Sequence, residues 1–234
     1  MSDIAIKLEN VHKYYGAVHA LQGLNLEVNA GEIFGFLGPN GAGKTTTIRC
    51  MLDLIRPNQG RIRVMDIDPQ ASPQAVKAKV GYLPGDLHLE GDFTARDFLK
   101  HIRNLRDNLR PWKDLLKLAE RVDLDLDKKI KTLSQGNKQK VGLVQSFVSE
   151  VSLLMLDEPT LGLDPLMKQE VLNIIREESE RGVTVFFSSH ILSEVQQIAD
   201  RVGIIRQGKL VEIAQTNDLI SRSLTRATVQ FTGP

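Results

Sequence analysis

The stretch at residues 38–45 constrains the fold and chemistry of this chain more than any other. It fits the pattern G-x-x-x-x-G-K-[ST] without departure. An apolar strand over 33–37 leads into it, and a helix over about 44–54, ending before Pro57, is predicted to leave it. Glycines let backbone N–H groups curl around dense negative charge, and the helix directs its positive end to the same point. The pattern therefore predicts a loop that binds nucleotide phosphates.

Two side chains of this loop suit a triphosphate with bound Mg²⁺. Lys44 is predicted to reach the β and γ phosphates, and the hydroxyl of Thr45 is predicted to bind the metal. The nucleotide-binding residues predicted in the loop are Gly38, Pro39, Asn40, Gly41, Ala42, Gly43, Lys44, Thr45 and Thr46.

A pair of acids follows a second apolar strand. The strand is predicted over 151–156, and Asp157 and Glu158 come directly after it. Ligands of α/β sheets lie at the carboxyl ends of the strands. We therefore expect Asp157 near the Mg²⁺, and Glu158 where it orients and deprotonates an attacking water. Two solvated loop acids are the alternative, and the apolar strand before them disfavours it.

The order of predicted elements points to one α/β core with an insertion. Residues 4–36 read as short strands with turns, and residues 85–150 read as helical. The predicted helices of the insertion begin at Thr94 with a capping pattern, at about Trp112 and near Asn137. The last third alternates strands and helices, with helices over 165–181 and 191–200 and strands over 151–156, 183–187 and 202–206. Such alternation predicts a parallel sheet covered by helices on both faces.

Composition excludes some partners and compartments. Lys and Arg total 30 against 29 for Asp and Glu, a net charge of +1, so no nucleic-acid partner is expected. The single cysteine, Cys50, fits a reducing compartment and is predicted to be a small core residue on a helix. No run approaches the roughly 20 apolar residues of a membrane span, and no signal peptide is recognisable. We therefore expect a cytoplasmic chain that meets a membrane only through a partner.

Further motifs, in a fixed order, give the chain a family resemblance. Residues 133–137 read Leu-Ser-Gln-Gly-Asn and resemble the signature sequence, L-S-G-G-Q, of the ABC ATPases. Residues 161–164 look like the D-loop of that family, His190 like its switch histidine, and Tyr15 like the aromatic residue that stacks on adenine. The resemblance covers residues 4–213 and is strongest to the ATPase subunits of ABC-2 type exporters, which include multidrug and antibiotic efflux systems.

This resemblance implies a fold and a division of the chain. The fold class is α/β, with a P-loop NTPase core, an N-terminal antiparallel β subdomain and an inserted α-helical subdomain. Residues 1–84 and 151–213 would form the core with the β subdomain, and 85–150 the helical subdomain, all within one ABC ATPase domain over 1–234. Residues 214–234 are interpreted as a C-terminal tail in which 228–231 alternate like the start of a strand, and truncation of a longer regulatory region stays open.

The resemblance also implies a mechanism that needs two copies. Homodimeric or heterodimeric ATPase subunits would close head to tail around two ATP molecules, so that Ser134 and Gly136 of one contact the γ-phosphate held by Lys44 of the other. Glu158 and His190 would act with that lysine in catalysis, and Asp164 would help to link the two sites. Integral membrane permease subunits would be the partners, which places the chain on the cytoplasmic face of the membrane.

Several residues allow more than one interpretation or depart from the family pattern. Tyr14 is an alternative to Tyr15 as the stacking residue, and Asp164 is also a candidate helix N-cap. Gly85 stands where the family usually has a Mg²⁺-binding Gln, so Asp86 is a tentative replacement ligand. Gln135 and Asn137 depart from the signature sequence. Leu87, Leu89 and Phe93 are candidates either for permease contact or for packing within the insertion.

Two other functions compete with the transporter hypothesis. A soluble ABC ATPase of translation or DNA repair usually carries two ATPase halves, a coiled coil or a zinc insertion, and none of these is recognisable here. A nucleotide sensor without turnover is disfavoured by Glu158.

Overall fold

A computed structural model describes residues 4–218 of the 234-residue chain. The strands of these residues are β1 Ile4–Tyr15, β2 Val18–Asn29, β3 Ile33–Leu37, β4 Gln59–Val64, β5 Val80–Leu83, β6 Leu153–Asp157, β7 Thr184–Ser189, β8 Arg201–Arg206 and β9 Lys209–Gln215. The α-helices are α1 Lys44–Met51, α2 Pro73–Lys79, α3 Ala95–Arg103, α4 Trp112–Arg121, α5 Gln135–Ser146, α6 Pro165–Glu180 and α7 Leu192–Ile198. A 3₁₀ turn at Ile130–Thr132 precedes α5.

The larger sheet has six strands in the order β5-β6-β7-β3-β8-β9. All neighbouring pairs are parallel except β8 and β9, which are antiparallel. Every residue of β6 and β7 is buried. Parallel strands covered by helices on both faces bury both rows of side chains, which is why these strands read as continuous apolar runs. The predicted α/β class with a mostly parallel sheet is confirmed.

The smaller sheet is antiparallel, with the order β2-β1-β4. Its buried side chains join one core cluster with residues of β3 and α1, including Phe34, Phe36 and Ile48. The prediction of several short strands over residues 4–36 was wrong, because β1 and β2 each run for 12 residues. Register shifts along their pairing, and the left-handed backbone of Asn10 (φ 50°), interrupt the apolar alternation from which strand length was inferred.

Three helices pack together between β5 and β6. α3 begins with the predicted capping box, in which the Thr94 hydroxyl accepts from the Asp97 amide. α4 begins at Trp112, as predicted. α5 begins at Gln135, two residues before the predicted start, because the Ser134 hydroxyl caps it by accepting from the Asn137 amide at 3.3 Å. The buried side chains of these helices, among them Leu99, Leu115 and Val144, share one core cluster with β6 and β7.

Some helix ends and elements differ from the prediction. α1 ends at Met51 rather than at residue 54, because the backbone turns at Leu52 and Asp53 adopts a positive φ of 48°. α2, β5 and β9 were not predicted, being short or half-exposed. No helix of residues 4–218 is long and apolar enough to cross a membrane. The predicted alternation at 228–231 lies outside the described residues.

Candidate nucleotide-binding and catalytic site

Three neighbouring strands end at the site. β3 leads into the phosphate loop, β6 ends at Asp157 before Glu158, and β7 ends at Ser189 before His190. Asp157 lies opposite Ser188 in the β6–β7 pairing, and Leu37 lies opposite Ser189 in the β3–β7 pairing. Parallel strands end at the same edge of a sheet, where ligands of α/β folds bind. The sheet therefore brings together three sets of residues that are far apart in sequence.

The phosphate loop lines a cleft of about 500 Å³. Gly43, with φ 111°, is the N-cap of α1 and supplies no side chain to the first turn. The N–H groups of that turn therefore point towards the cleft with the positive end of the helix dipole, as in known anion sites. The cleft is lined by Asn40, Gly41, Ala42, Gly43, Lys44, Thr45, Thr46, Gly85, Asp86, Glu158 and Leu161, with Val18, His19, Ala20, Gln22, Gln207 and Gly208 on its other sides. Gly38 and Pro39 of the loop do not line the cleft, and their carbonyl oxygens accept from Lys44 at 2.7 and 3.3 Å.

Lys44, Glu158 and His190 form a connected row of ionisable side chains. Lys44 Nζ lies 3.1 Å from Glu158 Oε1, and His190 Nδ1 lies 2.8 Å from Glu158 Oε2. The lysine and glutamate side chains are largely buried, whereas the histidine is 40% exposed. The three predicted catalytic residues are thus in direct contact within one chain. A carboxylate held between a lysine and a histidine is placed to accept a proton at the open side of the cleft.

The carboxylate of Asp157 is fully buried behind this row. Its Oδ1 accepts a short hydrogen bond from Ser188 Oγ, while Oδ2 has no hydrogen-bond partner among the described residues. A buried polar atom without a partner calls for an explanation, and a bound ion is one. Mg²⁺ takes oxygen ligands; Thr45, which carries a hydroxyl, lines the cleft, and so does Gly85, whose backbone lies against Asp157. These residues fit the predicted metal.

Gly85 approaches the same carboxylate. A Cβ at this position would lie 2.9 Å from Asp157 Oδ2, closer than carbon and oxygen normally approach. The space of a side chain at residue 85 is therefore taken by Asp157. Asp86 does line the cleft, but its carboxylate is 71% exposed and lies 3.2 Å from His88 Nδ1. The structure thus places the tentative metal ligand at the rim, paired with a histidine.

Ser134, Gly136 and Asp164 are outside the cleft lining, within the part of the chain that the structure describes. Ser134 caps α5, and a Cβ on Gly136 would meet the carbonyl oxygen of Gly162 at 2.8 Å. Asp164 caps α6 by accepting from the Met167 amide at 3.0 Å, so its predicted capping role is present. None of the three lines the cleft of its own chain, in contrast to Lys44 and Glu158.

The end of the β1–β2 hairpin borders the cleft. Tyr15 pairs with Val18, is 46% exposed, and has Lys13 Nζ 5.2 Å from its ring centre. Tyr14 instead stacks on His19, with ring centres 4.0 Å apart. Because Tyr14 is engaged in this stack, Tyr15 remains the better candidate for contact with a base. His19 itself lines the cleft and was missed, since a lone histidine in a strand carries no signal in the sequence.

Two other residues of the site were also missed. Ser188 holds Asp157, and Gln139 on α5 donates from Nε2 to the Glu158 carbonyl at 3.0 Å. A serine before a histidine gives a weak pattern, and Gln139 lies 19 residues before its partner. Only the folded chain shows either contact.

The fold and this arrangement define a nucleoside triphosphatase of the P-loop class. The family model described as ABC transporter matches residues 21–161. The chain is 37% identical over 216 residues to the bacitracin transport ATP-binding protein BcrA of Bacillus licheniformis, covering 88% of this chain and 68% of the relative. It is 36% identical over 227 residues to the daunorubicin resistance ATP-binding protein DrrA3 of Streptomyces coeruleorubidus, covering 94% and 71%. A solved structure of the ATP-binding subunit of an ABC transporter matches with a TM-score of 0.84 and 27% identity, covering 93% of this chain and 92% of that one.

The chain therefore belongs to the ABC transporter ATP-binding family. It is an ATP-binding subunit and an ATPase of that family, as the resemblance implied. These relatives support the transport hypothesis over a soluble ATPase of translation or DNA repair.

Proposed function

We propose that this chain is the motor subunit of an ABC exporter, with a second ATPase subunit and integral membrane permease subunits as partners. The observation that carries the proposal is the contact of Lys44, Glu158 and His190 at the phosphate loop, while Ser134 lies outside that cleft. The relatives are ATP-binding proteins named for bacitracin transport and daunorubicin resistance, which supports export as the direction. The cargo would be set by the permease.

Each residue of the site would have a separate role in ATP binding and hydrolysis. Lys44 and the loop amides bind the β and γ phosphates, and Tyr15 stacks on adenine. Glu158 orients the attacking water and accepts its proton, and His190 contacts the γ-phosphate. Thr45 and Asp157 would hold Mg²⁺, which neutralises phosphate charge when bound. Asp86 would contact the Mg²⁺ only through a bridging water, because its carboxylate pairs with His88.

A second copy completes each site. The N-terminus of α5 combines the Ser134 hydroxyl with free backbone amides, which suits a phosphate. Because this end is outside the cleft of its own chain, Ser134 and Gly136 would serve the ATP of a partner subunit. Asp164, at the start of α6, follows the turn at Gly162 that touches Gly136. ATP would thus join two subunits, and hydrolysis would separate them.

The surface proposed to bind the permease consists of a groove and nearby exposed apolar residues. Leu87 and Leu89 are 7% and 9% exposed, so they pack inside the subdomain and are not available as permease contacts. Phe93 is 43% exposed and stacks on Phe98. A groove of about 590 Å³ lies between the core and the end of α3; its lining includes Leu52, Leu54, Tyr82, Leu105 and Arg106.

This groove is suited to a partner segment that carries apolar side chains. Leu54 and Leu105 are 48% and 69% exposed. Arg106 donates to the carbonyls of Lys77 and Val80, and burial lowers the pKa of its guanidinium. Tyr82 lies three residues before Gly85, so a segment bound here would be next to the cleft. We propose that the permease binds this groove, and that the chain lies on the cytoplasmic face of the membrane.

Replacement of the proposed base tests the ATPase part. Glu158→Gln is expected to keep ATP binding, lower turnover by about 10²–10⁴-fold, and trap ATP-bound dimers visible by size-exclusion chromatography. Glu180→Gln, the same change at an exposed position of α6, should behave as the wild type. Unaltered turnover in Glu158→Gln would exclude Glu158 as the base. A wild-type chain that binds ATP without any turnover would favour the sensor hypothesis.

A surface variant tests the permease part. Leu105→Glu, in the groove, is expected to reduce co-purification with the membrane fraction while ATP turnover of the isolated chain stays unchanged. Leu116→Glu, on α4, is the matched control and should leave co-purification intact, since its side chain is outside the groove lining. Capture of ribosomes or DNA instead of membrane proteins would contradict the transporter assignment.

A further inference from the structure

We infer that Gln139 is a positioning residue for Glu158, and that it links the catalytic residue of each chain to the helix offered to the partner's ATP. The inference rests on the proposed role of Glu158 as base. Gln139 is 2% exposed on α5, and its Nε2 donates to the Glu158 carbonyl oxygen at 3.0 Å. Leaving a buried donor or acceptor without its partner costs free energy, so this hydrogen bond favours one position of the Glu158 backbone.

The backbone of Glu158 needs such support. Its φ is 51°, a left-handed conformation that is uncommon for residues other than glycine. The Glu158 amide donates to Ser188, to the carbonyl at 3.2 Å and to the hydroxyl at 3.1 Å. The Glu158 carbonyl accepts from the Leu161 amide at 3.1 Å and from Gln139. Gln139 is thus the one described contact that holds this peptide from the helical subdomain.

The orientation of this peptide decides where the carboxylate lies. From the left-handed backbone, the Glu158 side chain reaches both Lys44 and His190. Loss of the hydrogen bond from Gln139 would leave the carbonyl held only by its own turn at Leu161. A misplacement of about 1 Å in a catalytic group can lower a rate by about 100-fold. Gln139 would therefore affect the chemical step without touching the nucleotide.

The same helix carries the residue offered to the partner. Ser134 caps α5, and Gln139 lies five residues further, about 7 Å along the axis at 1.5 Å per residue. Gly136 packs against the Gly162 carbonyl, in the turn that follows Glu158. The start of α5, Glu158 and this turn are therefore connected by direct contacts. Binding of a partner's phosphate at Ser134 would therefore alter the position of Glu158 in the same chain.

Replacement by an apolar side chain of similar length tests this inference in the full chain. Gln139→Met keeps the packing and removes the donor, so kcat for MgATP is expected to fall about 10-fold while KM stays within about two-fold. Gln139→Glu keeps the shape but faces the Glu158 carbonyl with an acceptor, and it should lower kcat at least as much. The control is Gln145→Met, the same change on the same helix, because Gln145 makes no hydrogen bond to Glu158.

Three outcomes overturn the inference, and they are distinguishable. An unchanged kcat in Gln139→Met, with Glu158→Gln inactive, removes the role of Gln139 and leaves the proposed function standing. An equal loss of kcat and of melting temperature in Gln139→Met and Gln145→Met shows helix packing alone. Full turnover in Glu158→Gln removes the proposed base, and the role of Gln139 with it. If Gln139→Met does not fold, Gln139→Glu is compared with Gln145→Glu by the same criteria.

Discussion

The ammonium of Lys44 lies 3.1 Å from the carboxylate of Glu158, and the two side chains are only 6% and 13% exposed. The same ammonium donates to the carbonyl of Gly38 at 2.7 Å. The proposed phosphate-binding lysine and the proposed base therefore compensate each other's charge in a poorly solvated place. Removing one member of such a pair leaves the other buried and unpaired, which costs more than the pair contributes.

A double-mutant cycle measures this compensation. Lys44→Met is expected to destabilise the chain, because the largely buried Glu158 carboxylate then keeps only its hydrogen bond with the His190 ring. The double variant with Glu158→Gln should regain stability relative to Lys44→Met, with a coupling free energy of about 1–3 kcal/mol. Urea unfolding monitored by circular dichroism gives the four free energies. Strict additivity of the two changes would show that the contact contributes nothing to the free energy of unfolding.

Restoring the family's glutamine at residue 85 is expected to harm this chain. In Gly85→Gln the new Cβ would lie 2.9 Å from Asp157 Oδ2, so the carboxylate must shift away from its hydrogen bond with Ser188. We expect lower turnover and a higher Mg²⁺ requirement, measured by titrating Mg²⁺ at fixed ATP. Gly85→Ala separates the Cβ from the amide and should give the same direction. A gain in turnover with the glutamine would mean that the Asp157 carboxylate can move aside at little cost in free energy.

Asp86→Ala tests the remaining candidate in the same assay. If turnover and Mg²⁺ dependence both stay as in the wild type, Asp86 is not a ligand.

Two arginines with similar partners should differ in their effect on stability. Arg110 pairs with Glu178, and these side chains are 15% and 5% exposed. Arg121 pairs with Glu170 and Glu177 at the surface, where its side chain is 35% exposed. Arg110→Met should lower the free energy of unfolding by up to about 3 kcal/mol, because Glu178 then keeps only the exposed Arg181 as a partner. Arg121→Met should cost at most about 1 kcal/mol and less at high salt. Equal losses would mean that burial does not decide the strength of these pairs.

The thiol of Cys50 should report on unfolding. It is 1% exposed on α1, and burial raises its pKa to about 11. Modification by a thiol reagent at pH 8 should therefore be slower than for a peptide thiol by at least about 100-fold, the ratio of their thiolate fractions. MgATP should slow it further, because α1 also carries Lys44 and bound ligand stabilises the folded state. Rapid labelling of the native chain would show that α1 opens locally.

The same pKa gives a pH dependence with a definite sign. The thiol is neutral in the folded chain to higher pH than in the unfolded chain. Above about pH 9 the unfolded chain loses this proton first, so the contribution of Cys50 to stability falls as pH rises. Cys50→Ala should remove that part of the slope between about pH 9 and 11, measured from urea midpoints.

The sequence predicted those parts of the site whose local pattern is complete. The phosphate loop, the acids Asp157 and Glu158 and the helix capped at Thr94 each carry their information within a few residues. The long strands β1 and β2 were missed as continuous elements, because bulges shift the alternation by which strands are recognised. Leu87 and Leu89 could not be assigned, since an apolar loop residue reads alike whether it faces a core or a partner.

Contacts between distant segments could not be predicted at all. Gln139 and Glu158 meet only because α5 packs across the end of β6, and Gly85 matters only because Asp157 fills the space beside it. A family pattern marks Gly85 as a departure, but the physical consequence depends on a neighbouring strand.

The order of β6, β7 and β3 in the sheet has a consequence for how such a chain can evolve. Each of these adjacent strands delivers one part of the cleft, and strands in a sheet are spaced about 4.8 Å apart by backbone hydrogen bonds. Side-chain replacements leave those bonds in place, so the distances between the parts are inherited with the sheet. Helices α3 and α4, inserted between β5 and β6, are free of this constraint, whereas α5 carries Ser134 and Gln139. Selection can therefore remodel α3 and α4 while the chemistry is conserved.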